Sequence, residues 1–422
     1  MKILVVNAGS SSLKFTVFDF SWLGKQNVLA TGQVECIGLP NSSMIYERSG
    51  GIKSNEDIVL DDKKLKAGKY LTHDEALIYI CEKLLDKEEG VLSSIKDVMA
   101  IGHRVVHGGE QITEPVIVDE EVKKVIKECF DLAPLHNPPN LAGIEACEKI
   151  FPKVPNVAIF DTAFHQSMEP AAFLYAIPYN LYKKYGIRKY GFHGTSHHYV
   201  AKATAHYLNF SFDRLKLITC HLGNGASMAA IDKGKVIDTS MGMTPVDGLV
   251  MGTRCGDLDP AIILRLIELG MTPAEVDKLI NKQSGLLGIA GINSGDMRDV
   301  IQASEKGNEQ ASLALKICIH RLVKYIGAYS TLLKGADAIV FTGGVGEHSD
   351  YLRKEVLENV GSLGVTLDNS ANLKCKGDQP TVISTLDSKV KAIVMPTNEE
   401  LNIATQSIEL LLKQNRLKLV AV

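Results

Sequence analysis

Ile3-Leu4-Val5-Val6-Asn7-Ala8-Gly9-Ser10-Ser11-Ser12-Leu13-Lys14-Phe15 stands at the head of the chain, and its reading decides the fold. The apolar run Ile3 to Val6 makes a buried strand, the following small residues make a turn, and Leu13, Phe15 and Val17 alternate with Lys14 and Thr16 as a strand returning beside the first. The pattern comes back near the middle of the chain. Leu215 to Cys220 is apolar, His221-Leu222-Gly223-Asn224-Gly225-Ala226-Ser227 turns, Met228 to Ile231 runs back, and Asp232-Lys233-Gly234-Lys235 turns again into Val236-Ile237. Two such hairpins point to a duplication on the scale of a domain; a chance likeness of two Gly-rich turns is the competing account.

Outward from these hairpins, a buried strand Ala338-Ile339-Val340-Phe341-Thr342 leads into a third glycine turn, Gly343-Gly344-Val345-Gly346-Glu347, ahead of a helix from Tyr351 to Val360. Periodicity predicts further helices over Asp74–Asp86, Glu120–Phe130, Pro260–Leu269, Gln310–Leu333 and Asn398–Leu412. Strands interleave with them, so the fold class is α/β, with a mixed sheet in each half. Gly38 to Lys69 is polar and charged, and is expected to be an irregular excursion of the first domain. A length of 422 residues asks for two domains, with the crossing near Asp161, where the apolar strand Val157–Phe160 ends.

Composition narrows the function. A net charge of -3 lacks the basic excess that nucleic acid or an anionic membrane would need, so any bound anion must be met by local groups. The eight cysteines are scattered singly without a CxxC pair, as suits reduced thiols in the cytoplasm. The apolar run at the N-terminus is too short for a signal or a membrane span.

Glycine turns after buried strands let backbone N–H groups reach phosphate oxygens. Gly24-Lys25, Gly68-Lys69 and Gly234-Lys235 all lack the Ser or Thr that would complete a GxxxxGK[ST] loop, and no GxGxxG opens a helix. What remains is a nucleotide held between two duplicated domains by one hairpin from each, in the interdomain cleft of an actin-like ATPase fold of the sugar kinase, Hsp70 and actin type. Asn7, Ser10, Ser12 and Lys14 would then serve on the first hairpin, and Asn224 and Gly225 on the second. Taken alone, Ser10-Ser11-Ser12 is an ordinary solvated turn.

Several stretches together resemble the acetate kinase family, within the acetate and propionate kinases. They are Val6 to Phe15, Gly102-His103-Arg104-Val105-Val106-His107-Gly108-Gly109, Ala133-Pro134-Leu135-His136-Asn137-Pro138 and Phe160-Asp161-Thr162-Ala163-Phe164-His165. The series goes on through Tyr190 to His197, His221 to Gly225, Met251-Gly252-Thr253-Arg254, Phe341 to Glu347 and Pro396-Thr397-Asn398-Glu399-Glu400-Leu401. These blocks keep the family's order over essentially the whole chain. Gly291-Ile292-Asn293-Ser294-Gly295-Asp296-Met297-Arg298 departs from it, being one residue longer before the Asp-x-Arg.

The resemblance implies transfer of the γ-phosphoryl group of ATP to acetate, or the reverse from acetyl phosphate and ADP, with Mg2+, or Mn2+ in its place, and a cytoplasmic homodimer that binds neither nucleic acid nor membrane. It implies a first domain of residues 1–161 with 399–422 on the acetate and metal side, and a second of 162–398 for nucleotide and dimerisation. Arg104 goes to acetate and phosphoryl, Arg254 and His193 to the transition state, and Asn7 and Glu399 to the metal. Asp161 is the family's acid/base. Acetate is already ionised at neutral pH and offers no proton to take, so the physical reading is that Asp161 orients Arg104 or the magnesium shell. Val106, Leu135, Phe192 and Pro245 would cup the acetate methyl.

Nucleotide contacts fall by the same resemblance to Asn7, Ser10, Ser12 and Lys14, to His221, Leu222, Gly223, Asn224 and Gly225, to Asp296, Met297 and Arg298, and to Gly344, Val345, Gly346, Glu347 and His348. His193, His197 and His198 lack a matching Cys or carboxylate for zinc; His193 reads as a donor to phosphoryl, His197 and His198 as structural. A propionate kinase, a sugar or polyol kinase and an actin-like nucleotide switch stand as the alternatives.

Overall fold

The computed structural model describes residues 1–21, 26–58 and 70–416. Contacts divide the chain into two units, Met1–Ala163 with Asn398–Val422, and Phe164–Thr397.

The first unit is built on β1 (Lys2–Ala8), β2 (Ser12–Phe20), β3 (Gln26–Glu35), β4 (Ser43–Arg48), β5 (Ile52–Asp57), β6 (Val98–Val105), β7 (Val116–Ile117) and β8 (Asn156–Phe160). They form one sheet in the order β5-β4-β3-β2-β1-β6-β8-β7. The opening hairpin pairs Val6 with Phe15 and Asn7 with Lys14. β6 lies parallel to β1, and β8 parallel to β6. Helices α1 (His73–Leu84), α2 (Glu120–Glu128) and α3 (Asn137–Ile150) follow the early strands.

The second unit repeats the plan. Here β9 (Lys216–Leu222), β10 (Ala226–Asp232), β11 (Lys235–Thr239), β12 (Ala338–Thr342), β13 (Thr381–Val382) and β14 (Lys391–Val394) order as β11-β10-β9-β12-β14-β13. An antiparallel meander, of five strands in the first unit and three in the second, is extended in each by two parallel strands and closed by a short antiparallel edge strand. That shared order, far more specific than two similar turns, makes the chain a duplicated actin-like ATPase fold. The inner strands β8 and β12 are buried at every position, as parallel strands covered on both faces must be.

The helices here are α4 (Gly194–Tyr207), α5 (Pro260–Glu268), α6 (Met297–Glu305), α7 (Glu309–Leu332), α8 (Gly343–His348) and α9 (Asp350–Asn359); α10 (Glu399–Lys413) belongs to the first unit. α10 packs onto β1, β6 and β8. A Cβ on Gly102 would meet Ile403 Cγ2 at 2.7 Å and Ser407 Oγ at 2.8 Å, so this strand position has to be glycine for α10 to lie so close. No helix among the described residues is long and apolar enough to cross a membrane.

Two expectations are corrected. Gly38 to Lys69 is not irregular throughout, because β4 and β5 extend the sheet as a hairpin turning at Gly50 and Gly51, both with positive φ. Met44 and Tyr46 bury one face of β4 while its other positions stay more open, the one-faced burial of an antiparallel strand masked by charge; residues 59–69 of that stretch lie outside the described residues. The glycines after β12 form no open turn but start the short helix α8, with Gly343 at φ 74°.

His103 on β6 is fully buried, its Nε2 2.7 Å from Asn156 Oδ1 on β8. Burial pushes its pKa down from 6.5 to about 4, and the bond to Asn156 offsets only part of that. As pH falls below about 6.5 the unfolded chain takes up this proton first, so stability is full above that pH and declines until about pH 4. This one site should cost about 3 kcal/mol across the window. Urea unfolding of His103→Asn should show a correspondingly shallower loss between pH 6.5 and 4.5, and an unchanged slope would remove His103 as its source.

Candidate active site

In the first unit, parallel pairing sets the last residues of β6 and β8 side by side: Arg104 is in register with Ile159, and Val105 with Phe160. Asp161 follows directly, its N–H bonded to Val105 O at 3.0 Å. Arg104 donates to the Asp161 carboxylate through Nη2 at 2.6 Å and through Nε at 3.1 and 3.3 Å. Asp161 is nearly closed off, with 2% of its side chain exposed, while Arg104 keeps 24%. Burial works against the Arg104 charge, but Asp161 and then Glu399 outweigh it and raise its pKa. One edge of the guanidinium is thereby locked, and among the described residues no hydrogen bond takes Nη1.

Glu399, the first residue of α10, stands 3.9 Å from Arg104 Nε. Its helix start is also an ordinary one, for Asn398 caps Leu401 N–H. Burial raises the Glu399 pKa to about 7; Arg104 and Lys14 oppose that rise, and Asp161 and Glu400 add to it. A carboxylate so crowded by other carboxylates has the chemistry of a cation ligand. Asn7 and Lys14 face each other at the end of the first hairpin, Ser10 is exposed at its tip, and Ser12 is half-buried.

Sequence reasoning missed what steadies these parts. His73 Nε2 bonds Gly9 O at 2.8 Å, and Asn140 joins Ala8 O at 2.6 Å to Val106 N at 3.0 Å. Asn137 likewise holds both the N–H and the C=O of His107. The signal lay in His136-Asn137-Pro138-Pro139-Asn140, whose prolines start α3 and free the two amides to face the loop after β6.

In the second unit, His193 has φ 58° and sits at the N-cap of α4. Its Nδ1 is 2.9 Å from Ser227 Oγ, and its ring lies 4.3 Å from that of His221 at 32°. A Cβ on Gly225 would meet Arg254 Nη1 at 3.4 Å and His193 Nε2 at 3.6 Å, so the glycine is the gap across which these two groups approach. Arg254 is half-buried, and burial lowers its pKa. Among the described residues its guanidinium has only the Met251 Sδ contact at 3.8 Å and no carboxylate partner. The loop carrying it is clasped at its neck. Asp257 accepts from Gly248 N at 2.8 Å, from Tyr325 Oη at 3.0 Å and from Arg321 at 3.0 Å, and the last two side chains come from α7.

Beside this lies a cavity of about 1120 Å3 within the same unit, lined by Leu222, Gly223, Asn224, Asp296, Met297, Arg298, Gly344, Val345 and His348. It unites most of the residues expected to hold nucleotide. His221, Gly225, Gly346 and Glu347 stand back from its wall. His221 Nδ1 is taken by Ser196 Oγ at 2.8 Å, Gly346 is buried, and the Glu347 carboxylate ties Gly343 N at 2.8 Å to Thr397 N at 3.0 Å. Asp296 caps α6 and grips Arg298, which holds its own pKa at about 2. Gly295, just ahead of Asp296, lies against the carbonyl of Gly252.

Of the expected methyl cup, Val106 and Phe192 are buried and Pro245 is half-buried, but Leu135 is 64% exposed and makes no closed wall. It lies within the tight turn Ala133–His136, closed by the His136 N–H on Ala133 O at 3.0 Å.

The fold is that of the actin-like ATPases, and family membership makes the chain a phosphotransferase with a carboxyl group as acceptor. The chain belongs to the Acetokinase family, whose pattern it matches over residues 2–405. It is 52% identical over 405 residues to an acetate kinase from Pseudothermotoga lettingae, with 96% of each chain covered. A crystal structure of Porphyromonas gingivalis acetate kinase superposes with a TM-score of 0.90 at 42% identity, covering 97% of this chain and 99% of that one. A propionate kinase from Francisella tularensis gives 0.86 at 39% identity, with the same coverage.

A Cβ on Gly252 would collide with Asn224 Oδ1, whereas one on Gly344 would meet open space. Gly252→Ala should therefore cost about 1–3 kcal/mol in denaturant unfolding, as overpacking does. Gly344→Ala should stay within about 0.5 kcal/mol of the parent. Equal stabilities would contradict this close approach.

Proposed function

We propose that the chain transfers the γ-phosphoryl group of ATP to acetate, forming acetyl phosphate and ADP, and catalyses the reverse. The observation that carries this is the unneutralised guanidinium of Arg254 beside His193. Burying a cation without a counterion is costly, and the cost is offset when a phosphoryl group supplies the negative charge. Acetate arrives ionised, so the barrier is repulsion between anions, and fixed cations aimed at the phosphoryl oxygens lower it.

In this reading Arg104 presents Nη1 to the acetate carboxylate and the incoming phosphoryl group, oriented by Asp161, which takes no proton. Val106 and Phe192 receive the methyl group, with Pro245 beside them. His193 and Arg254 donate to the phosphoryl oxygens in flight. The cavity of the second unit takes the nucleotide, with Asn224 and Gly344 nearest the phosphates and Asp296 to Arg298 towards the base. Lys14, Ser10 and Ser12 serve the polyphosphate from the first hairpin. Mg2+ would be held by Glu399 and Asn7 with water and nucleotide oxygens, and it would neutralise the charge on the phosphates.

The exposed apolar face of α5, with Ile262, Leu264 and Ile267, is the surface we assign to a homodimer. Eight free thiols suit a cytoplasmic enzyme. Propionate is the second acceptor considered, because one methylene is worth only about 10- to 200-fold in such a pocket.

Arg104→Ala and Arg254→Ala should each lower kcat/KM by on the order of 10^2 to 10^3 while circular dichroism stays that of the parent. Near-parental rates in either would remove that residue from the mechanism. Initial rates with acetate, propionate and butyrate should fall in that order, and Val106→Ala should narrow the gap between the first two. Phosphorylation confined to polyols, or hydrolysis without acetyl phosphate, would overturn the reading.

A further inference from the structure

Behind His193 a line of hydrogen bonds runs into the core of the second unit. Ser227 Oγ, on β10, is 2.9 Å from His193 Nδ1 and 2.8 Å from His197 Nε2. His197 Nδ1 is 2.7 Å from Thr219 Oγ1 on β9. His197, Ser227 and Thr219 are all fully buried. The acetate kinase reading gives His193 a task and leaves this line without one.

We propose that Thr219, His197 and Ser227 form a one-way relay that holds neutral His193 as its Nε2–H tautomer, with the N–H on the side facing Arg254. The direction follows from counting protons. Burial, then the nearby His165 and His221, hold the His197 pKa well below its usual value, so its ring is neutral. A neutral imidazole has one donor and one acceptor nitrogen, and a hydroxyl has one proton. Once one bond in the line is assigned, the others follow.

Thr219 Oγ1 has two bonding neighbours, His197 Nδ1 at 2.7 Å and the Ala229 carbonyl at 3.5 Å. The second is at the outer limit of a hydrogen bond. A buried hydroxyl left with only that contact forfeits most of a bond, so the proton goes to His197 Nδ1. His197 then carries its hydrogen on Nε2 and donates it to Ser227, whose own proton goes to His193 Nδ1. His193 is left with its hydrogen on Nε2, the nitrogen that approaches Arg254 across Gly225. The opposite direction would turn a lone pair towards the phosphoryl oxygens. The relay thus supplies an N–H donor without placing a second buried cation beside Arg254, and it makes Thr219, His197 and Ser227 positioning residues.

The tautomers stand on the hydrogen bonds alone, whereas their effect on rate rests on the proposed reaction. Long-range 15N–1H spectra of the full chain labelled with 15N-histidine, with His193 and His197 assigned through His193→Asn and His197→Asn, should find both rings as Nε2–H. An Nδ1–H form of either ring in the unsubstituted protein overturns the relay, whatever the kinetics. Thr219→Val removes the first donor at nearly constant volume, and Thr219→Ser keeps it. Valine should lower kcat about 10- to 100-fold with KM values within about twofold, and serine should restore it. Equal rates in the two variants, high or low, would also overturn it. Parent enzyme inactive on acetate would sink the reaction while the spectra still decide the tautomers.

Discussion

A guanidinium that is half-buried with no carboxylate partner among the described residues is an expensive thing for a fold to keep, and the second unit keeps Arg254 in that state. Removing such a charge from water costs several kcal/mol unless something opposite in sign replaces the lost hydration. Elsewhere the chain makes that replacement from its own side chains: Arg353, fully buried, is surrounded by the carbonyls of Gly346, Glu347 and Asn372 and the side chain of Asn372. Arg254 receives a thioether instead. The clasp of Asp257, Arg321 and Tyr325 ties down the loop that carries it, and in the proposed reaction a phosphoryl group would supply the counterion.

Arg104 shows the other solution. Its charge is matched by Asp161 and partly by Glu399, and what the pairing provides is direction. A fork bonded along its Nε–Nη2 edge cannot rotate, and its remaining donors have one orientation. In the proposed reaction the two arginines would meet different demands. An acceptor carboxylate held at a fixed angle suits a clamped cation. Phosphoryl charge spread over three outer oxygens suits a cation whose field is not already spent.

How much of this could be read beforehand depends on whether the information was local. The hairpins, the apolar parallel strands and most helices were legible, because period and turn chemistry express them within a few residues; Glu120–Glu128 and Pro260–Glu268 lie within a residue or two of their expected bounds. Arg104, His193 and Arg254 stood out only through stretches shared with a family, and their proposed roles rest on that likeness. Asn137, Asn140, His73 and Asp257 were missed, since their work is to bond backbone atoms remote in sequence, such as Asn140 with Ala8. Leu135 is the opposite case: an apolar residue in a familiar motif gives no hint that its side chain is 64% exposed. Glu347 sits among the glycines of a familiar nucleotide motif, yet it spends its carboxylate on two backbone amides.

The duplication sharpens the point. Equivalent strands end in different chemistry: β6 carries Arg104 one residue before its end and β8 leads into Asp161, an ion pair, while their counterparts β12 and β14 lead to Gly343 and Thr397, which are joined through Glu347. The first sheet thus uses its parallel ends to fix a charge, and the second uses them to fix backbone. Polar groups then accumulate in the second unit where its meander meets α4, as Ser196, His197, Thr219, His221 and Ser227. Neutral groups of this kind orient one another through proton direction rather than Coulomb force. If a common ancestral unit had only the strands, charge was added to one copy and a hydroxyl–imidazole line to the other. The first unit thus orients its arginine by charge, and the second orients its imidazoles through neutral hydroxyls.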